Sequence, residues 1–174
     1  MQSRYDERDV GRMVDKLAAD TATAFDPAKP LNIVGVRTRG ETLAARLTDR
    51  LRLRGFNHIG RGVLDITLYR DDLSEIGPRP LVRPTQINVD IDGVPLLLVD
   101  DVLFTGRSIR AALDALSDFG RPSAIRLAVL VDRGGRELPI QPDFVGVTFQ
   151  NVPPQQRVNV RLKEDDGVDE IVVE

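Results

Sequence analysis

The chain has 174 residues, 41% hydrophobic and 29% charged, with a formal net charge of −3. That length suits one domain with a real core, so a single domain over residues 1–174 is expected. The acidic balance argues against a protein that coats nucleic acid nonspecifically, and it leaves room for a local basic face. The absence of cysteine removes disulfides, thiol catalysis and thiolate metal sites together. No apolar run approaches the roughly 20 residues of a membrane span. The polar start MQSRYDERDV carries no secretory pattern, and these features together point to a cytoplasmic setting without a membrane partner.

Val10, Met13, Val14 and Leu17 recur at helical spacing and predict a helix across residues 6–22. Asp26-Pro27 and Lys29-Pro30 end it. Residues 31–36 read as a strand, and Arg37-Thr38-Arg39-Gly40 joins it to a helix reaching about Arg54, where Gly55 stops it. Residues 63–69 read as another strand. A Pro/Gly-rich tract follows to Pro84, of a length that suits a lid, and residues 82–89 suggest an antiparallel return that makes a hairpin arm.

Residues 94–108, VPLLLVDDVLFTGRS, are the centre of the chain. The apolar run has no polar alternation, so it predicts a strand buried on both faces, as in parallel sheets. Asp100 and Asp101 fall just past its C-terminal end, where open α/β sheets place ligands. A helix then runs to about Gly120, residues 124–131 read as a buried strand, and residues 144–149 as the next. Residues 157–162 and 171–173 alternate and suggest an antiparallel hairpin at one sheet edge.

The central loop has a legible chemistry. Gly106 permits a backbone that a side chain would forbid. Thr105 and Ser108 flank a helix start, whose unpaired amides favour phosphate, and Arg107 adds a cation. Two carboxylates five residues upstream repel phosphate. A ligand with sugar hydroxyls at one end and a phosphate at the other resolves the conflict. The Thr38-Arg39-Gly40 turn is a second anion candidate, since it too follows a buried strand and opens a helix.

VDDVLFTGRS is similar to the phosphoribosyl pyrophosphate (PRPP) loop of type I phosphoribosyltransferases. VRTRG (36–40), LDITLYRDDL (64–73), RSIRAALDAL (107–116) and VDRGGRELPI with PDFVG (131–146) narrow the likeness. Together they resemble the PyrR family, pyrimidine operon attenuators that are also uracil phosphoribosyltransferases.

That resemblance implies an α/β type I phosphoribosyltransferase fold. Its sheet is mainly parallel and flanked by helices, with a flexible hairpin lid and a C-terminal antiparallel edge. It implies uracil and PRPP giving UMP and pyrophosphate, with Mg²⁺ held indirectly by Asp100 and Asp101 through ligand and water. Asp100, Asp101 and Arg39 are the implied catalytic residues. Thr38, Arg39 and Gly40 would take pyrophosphate. Val102, Leu103, Phe104, Thr105, Gly106, Arg107 and Ser108 would hold the nucleotide. Arg70 and Arg83 would reach pyrophosphate from the lid, and Asp132, Arg133 and Val145 would face the base.

In 6-oxopurine phosphoribosyltransferases an acid precedes the Thr-Gly pair, and a Lys tends to stand at the place of Arg133. Phe104 and Arg133 here favour a pyrimidine. Gly135 stands where relatives usually have His. The family also binds pyrimidine-operon mRNA when UMP is present. Arg46, Arg50 and Arg54 share one helix face and are the candidates for RNA contact. A homo-oligomer, dimer or larger, is implied. The alternatives are transfer to another base without RNA binding, or an RNA-binding regulator with negligible turnover.

Overall fold

The computed structural model describes residues 4–71 and 84–174. The chain opens with a two-residue strand, β1 (Arg4–Tyr5), and helix α1 (Glu7–Ala24). The Asp6 carboxylate accepts the amides of Arg8 and Asp9, and the Asp9 carboxylate accepts that of Asp6, so α1 begins with a complete capping box. Next come β2 (Leu31–Val36), α2 (Arg39–Leu53) and β3 (Ile59–Leu64), then β4 (Gln86–Ile87), β5 (Leu96–Leu103), α3 (Arg107–Ser117), β6 (Ile125–Asp132) and β7 (Phe144–Thr148). The chain closes with β8 (Val158–Arg161), the single turn α4 (Lys163–Asp166) and β9 (Glu170–Val173).

The main sheet has the order β4-β3-β2-β5-β6-β7. Strands β3, β2, β5, β6 and β7 are parallel, and β4 joins antiparallel at one edge. Period-two alternation sends successive side chains to opposite faces. Ile33, Leu97 and Val99 pack with α1 and α2, while Val34, Leu96 and Leu98 pack with α3. This gives three layers, with strands buried on both sides as the apolar runs require.

Two sequence expectations change. The strand expected at 63–69 ends at Leu64. Asp65 Oδ1 accepts the Thr67 amide at 2.8 Å and its hydroxyl at 2.6 Å, and this local turn bends the chain into a 3₁₀ turn, Thr67–Tyr69. The strand's first half, Ile59-Gly60-Arg61-Gly62, is poor in strand formers and is held by its register against β2. The C-terminal hairpin is antiparallel as expected, but it pairs with β1 in a three-stranded sheet of its own, order β1-β9-β8, rather than at an edge of the main sheet. The antiparallel return is seen as β4; Arg83 lies outside the described residues, as does most of the expected lid.

The turn after β2 is pressed onto the centre of the sheet. A Cβ on Gly35 would fall 2.4 Å from the Gly40 carbonyl oxygen, and one on Gly40 would fall 2.5 Å from that of Val99. No side chain fits either place. Gly40→Ala is therefore expected to cost about 1–3 kcal/mol through forced separation of turn and strand. Gly11, mid-helix in α1, has nothing within 4 Å of its added Cβ, so Gly11→Ala should gain about 0.5–1 kcal/mol. Denaturant unfolding of the two variants checks the opposite signs; a Gly40→Ala protein as stable as the parent would contradict the contact.

Candidate active site

The parallel strands end along one edge. The chain passes outward from β2 to β3 on one side and from β5 to β6 on the other, so the β2/β5 boundary is the topological switch point where such sheets bind ligands. A cavity of ≈ 360 Å³ lies there, bordered by Arg37, Thr38, Asp65, Thr67, Arg70, Asp100, Asp101 and Ser108. A second, of ≈ 270 Å³, lies against the loop from Val102 to Ile109, with Arg70 and Asp71 on its far wall. The two share Arg70, Val102 and Ser108.

The helices that start at these cavities are uncapped. Neither Thr38 before α2 nor Gly106 before α3 offers a side-chain cap, in contrast to the capping box of α1. Gly106 has φ +93°, in the left-handed region where a side chain is strained. The first amides of α2 and α3 have no intrahelical partner; that of Arg107 donates to the Thr105 hydroxyl at 3.3 Å, and the others are available to an anion.

Asp100 is only 8% exposed, and its Oδ1 accepts the Asp101 amide at 2.9 Å. Asp101 Oδ1 accepts the Val102 amide at 2.8 Å. Among the described residues neither carboxylate forms an ion pair. Burial first, and the neighbouring Asp101 charge second, raise the Asp100 carboxyl well above its ordinary range.

Arg39 does not border the cavity. Its Nε and Nη2 donate to the Asp166 carboxylate at 3.1 and 2.7 Å. Arg39, Thr42 and Arg46 lie on the α2 face turned to the acids of 164–169. The side chain at the cavity is that of Arg37, held by Glu41 at 3.0 Å and by the Pro84 carbonyl at 2.8 Å. The Arg107 side chain turns to Asp71 (2.8 Å) and Glu137 (3.3 Å) while its backbone stays in the loop.

Beyond β6 a third hollow of ≈ 510 Å³ is bordered by Asp132–Arg136, Gln141 and Thr148–Val152. Arg133 is 6% exposed, its guanidinium carbon stacks 3.8 Å from the Phe104 ring centre, and it donates to the carbonyls of Gln156 and Pro153 at 2.7 and 3.1 Å. Its Nε is buried without a partner, and burial lowers its pKa. Asp132 takes the Gly134 amide (3.0 Å) and Arg136 Nη2 (2.8 Å). Gly135, at φ +81°, lies where a Cβ would meet Phe104 Cε2 at 2.5 Å, so a histidine there has no room beside this ring.

Val145 is the residue expected near the base. It lies inside β7, paired with Val129, and its carbonyl accepts Lys16 Nζ at 2.6 Å. The strand's C-terminal end, Thr148 onward, borders the hollow instead. The basic helix face is largely paired. Arg46 is committed to Asp169 (2.7 Å) and Glu164 (3.0 Å), and Arg50 to Asp15 (2.7 Å), which leaves Arg54 exposed.

Sequence reasoning missed Arg37, Asp65, Thr67 and Asp71 as cavity residues. The Asp-x-Thr spacing of 65–67 was the available signal, since an Asp two residues before a Thr makes a local turn.

The described residues contain no helix long and apolar enough to cross a membrane. Residues 2–165 match the family of the phosphoribosyl transferase domain. The Bifunctional protein PyrR of Chloroflexus aurantiacus is 57% identical over 143 residues, 81% of this chain and 77% of that protein. The Bifunctional protein PyrR of Desulfosudis oleivorans is 50% identical over 169 residues, 97% of this chain and 93% of that one. In fold, the chain is similar to hypoxanthine phosphoribosyltransferase from Trypanosoma cruzi, with a TM-score of 0.71 at 20% identity over 97% of this chain and 92% of that one. The chain belongs to the PyrR family of phosphoribosyltransferases.

The buried acid gives a signed prediction. Folding favours protonated Asp100, so its contribution opposes stability as pH rises from the ordinary carboxylate range through the raised value. Asp100→Asn should melt higher than the parent at pH 8, and the gap should shrink as pH falls from the raised value towards about 4, below which it no longer changes. A variant that melts lower at pH 8 would refute the uncompensated charge.

Proposed function

We propose that this member of the PyrR family transfers a phosphoribosyl group from PRPP to uracil, releasing pyrophosphate, and also acts as a UMP-responsive regulator through pyrimidine-operon mRNA. The observation that carries the catalytic half is two adjacent carboxylates that form no ion pair among the described residues, set between two helix starts at one switch point.

The carboxylates of Asp100 and Asp101 accept the ribose hydroxyls. The loop from Val102 to Ser108 takes the 5′-phosphate on its amides and hydroxyls, and the turn Thr38-Arg39-Gly40, with Arg37 beside it, takes pyrophosphate. Uracil, its N1 proton lost to solvent, attacks ribose C1 through N1 as the bond to pyrophosphate breaks, and charge builds on the leaving oxygens. Catalysis is then mostly positioning and charge neutralisation. Mg²⁺ suits these residues indirectly: among the described residues no three acids converge to cage an ion, so substrate oxygens and water would complete its shell. When bound, Mg²⁺ supplies countercharge to the pyrophosphate.

Phe104 supports a pyrimidine. It neither accepts nor relays a proton, and its ring is occupied by Arg133. Arg133 or the backbone around it would read the uracil carbonyls. For RNA, Arg52 and Arg54 are exposed beside Leu53, which is 89% exposed, and they are better placed than the paired Arg46 and Arg50. A homo-oligomer remains our expectation, to be checked by light scattering.

Assay with PRPP, Mg²⁺ and each of uracil, hypoxanthine, guanine and orotate should give turnover with uracil. Asp101→Asn should lower it about 10²–10³-fold with the fold intact by circular dichroism; near-normal turnover would reject the assignment. Binding to the operon stem-loop should strengthen with UMP and weaken steeply with salt. Replacing Arg52 and Arg54 by Ala should flatten the log–log salt slope by about 2; an unchanged slope would move the RNA surface elsewhere.

A further inference from the structure

One wall of the phosphate-loop cavity carries an acid. The Asp71 carboxylate faces the loop across that cavity, accepting from Arg107 Nη1 at 2.8 Å and lying 3.5 Å from Arg110 Nη2. Arg107 Nε also reaches Glu137 at 3.3 Å. The segment leading to Asp71 is tied to the same helix: Arg110 Nη2 donates to the Tyr69 carbonyl at 3.5 Å, and the Tyr69 hydroxyl donates to Asp118. Residues 69–71 are therefore held against α3 by cations from the helix turn that opens at the loop.

An anion in this place conflicts with a loop that takes phosphate, unless the acid gives way. Carboxylate and phosphate are rival partners for a guanidinium, and phosphate brings the larger charge. Arg107 is 45% and Asp71 36% exposed, so the pair is cheap to exchange.

We propose that Asp71 is a placeholder anion and a positioning residue. It holds Arg107 ready at the loop and yields it to the entering 5′-phosphate, and the exchange loosens residues 69–71 from α3. This rests on the reading of the loop as the 5′-phosphate site. Phosphate occupancy is thereby coupled to the segment that borders the ribose cavity through Arg70.

The chain supplies its own reporter. It has no tryptophan and two tyrosines, Tyr5 and Tyr69. Tyr5 stacks on Phe149 with 5.4 Å between ring centres, against a different part of the fold. In the full chain carrying Tyr5→Phe, UMP and inorganic phosphate should both change the Tyr69 fluorescence, and uridine should not. Asp71→Asn in the same background should start near the liganded signal. It should also bind UMP about 2–5-fold more tightly at low salt, the scale of an exposed ion pair. UMP affinity is measured in parallel by calorimetry. UMP binding with an unmoved Tyr69 signal, an equal response to uridine, or Asp71→Asn binding UMP no more tightly would each overturn the placeholder alone. No UMP binding to the parent protein would overturn both it and the loop assignment.

Discussion

A backbone-to-backbone contact at the middle of the sheet sets the geometry of everything chemical in this protein. The β2–α2 turn packs on Gly35 of β2 and on β5 at Val99–Asp100 with no side chain between them, because Gly35 and Gly40 leave the space empty. The start of α2 is thereby brought beside Asp100, while the same strand continues into the loop that starts α3. Two helix ends with open amides and two carboxylates share one edge. Fatter residues at either glycine would separate the anion-binding turn from the acids, and a ligand with a sugar between two phosphates could no longer span them.

The charges around that edge follow one pattern. The cations are committed in the absence of ligand: Arg39 to Asp166, Arg107 to Asp71 and Glu137, Arg37 to Glu41. The aspartates at the centre are not. On the proposed reading, the ribose end of the substrate meets two unpaired carboxylates, while its phosphate ends meet backbone amides first and guanidiniums only by exchange. A site of bare arginines would hold free phosphate and pyrophosphate strongly and release product slowly. Pairing each arginine with an acid lowers that affinity while keeping the cation within reach.

Much of this was readable from residues alone. The run Val94–Val99 could only be a strand covered on both sides, and adjacent acids at its end marked the ligand edge. Thr105-Gly106 and Gly40 marked the helix starts. What was not readable depended on partners far away in the chain. Arg39 looked like a site cation because Asp166 is 127 residues distant. Arg46 and Arg50 looked like a free basic face because Asp169 and Asp15 approach only in the fold. Asp65 was hidden for a different reason: Ile66 and Leu68 around it gave a strand pattern, and a side chain bonding to its own backbone overrode it. Local patterns carry strands and helix ends; ion pairing is a tertiary fact.

The base side shows why the residue at 104 matters to chemistry rather than to packing alone. Both Asp132 oxygens are engaged, one by the Gly134 amide and one by Arg136, whose Nη1 also holds the Phe104 carbonyl. Phe104 itself lies under Arg133 and against Gly135. The side chains nearest the end of the loop therefore offer cations and a ring, and the carboxylates beside them are paired, Asp132 with Arg136 and Glu137 with Arg107. A base that must be deprotonated by the protein would find no acceptor there. A base that carries its own acidic N–H, and gains from cations beside its carbonyls as it becomes an anion, would find the surroundings it needs. Uracil is such a base, and on the proposed reading the tie from Arg136 to both Asp132 and the Phe104 carbonyl would keep that acid from acting as the base.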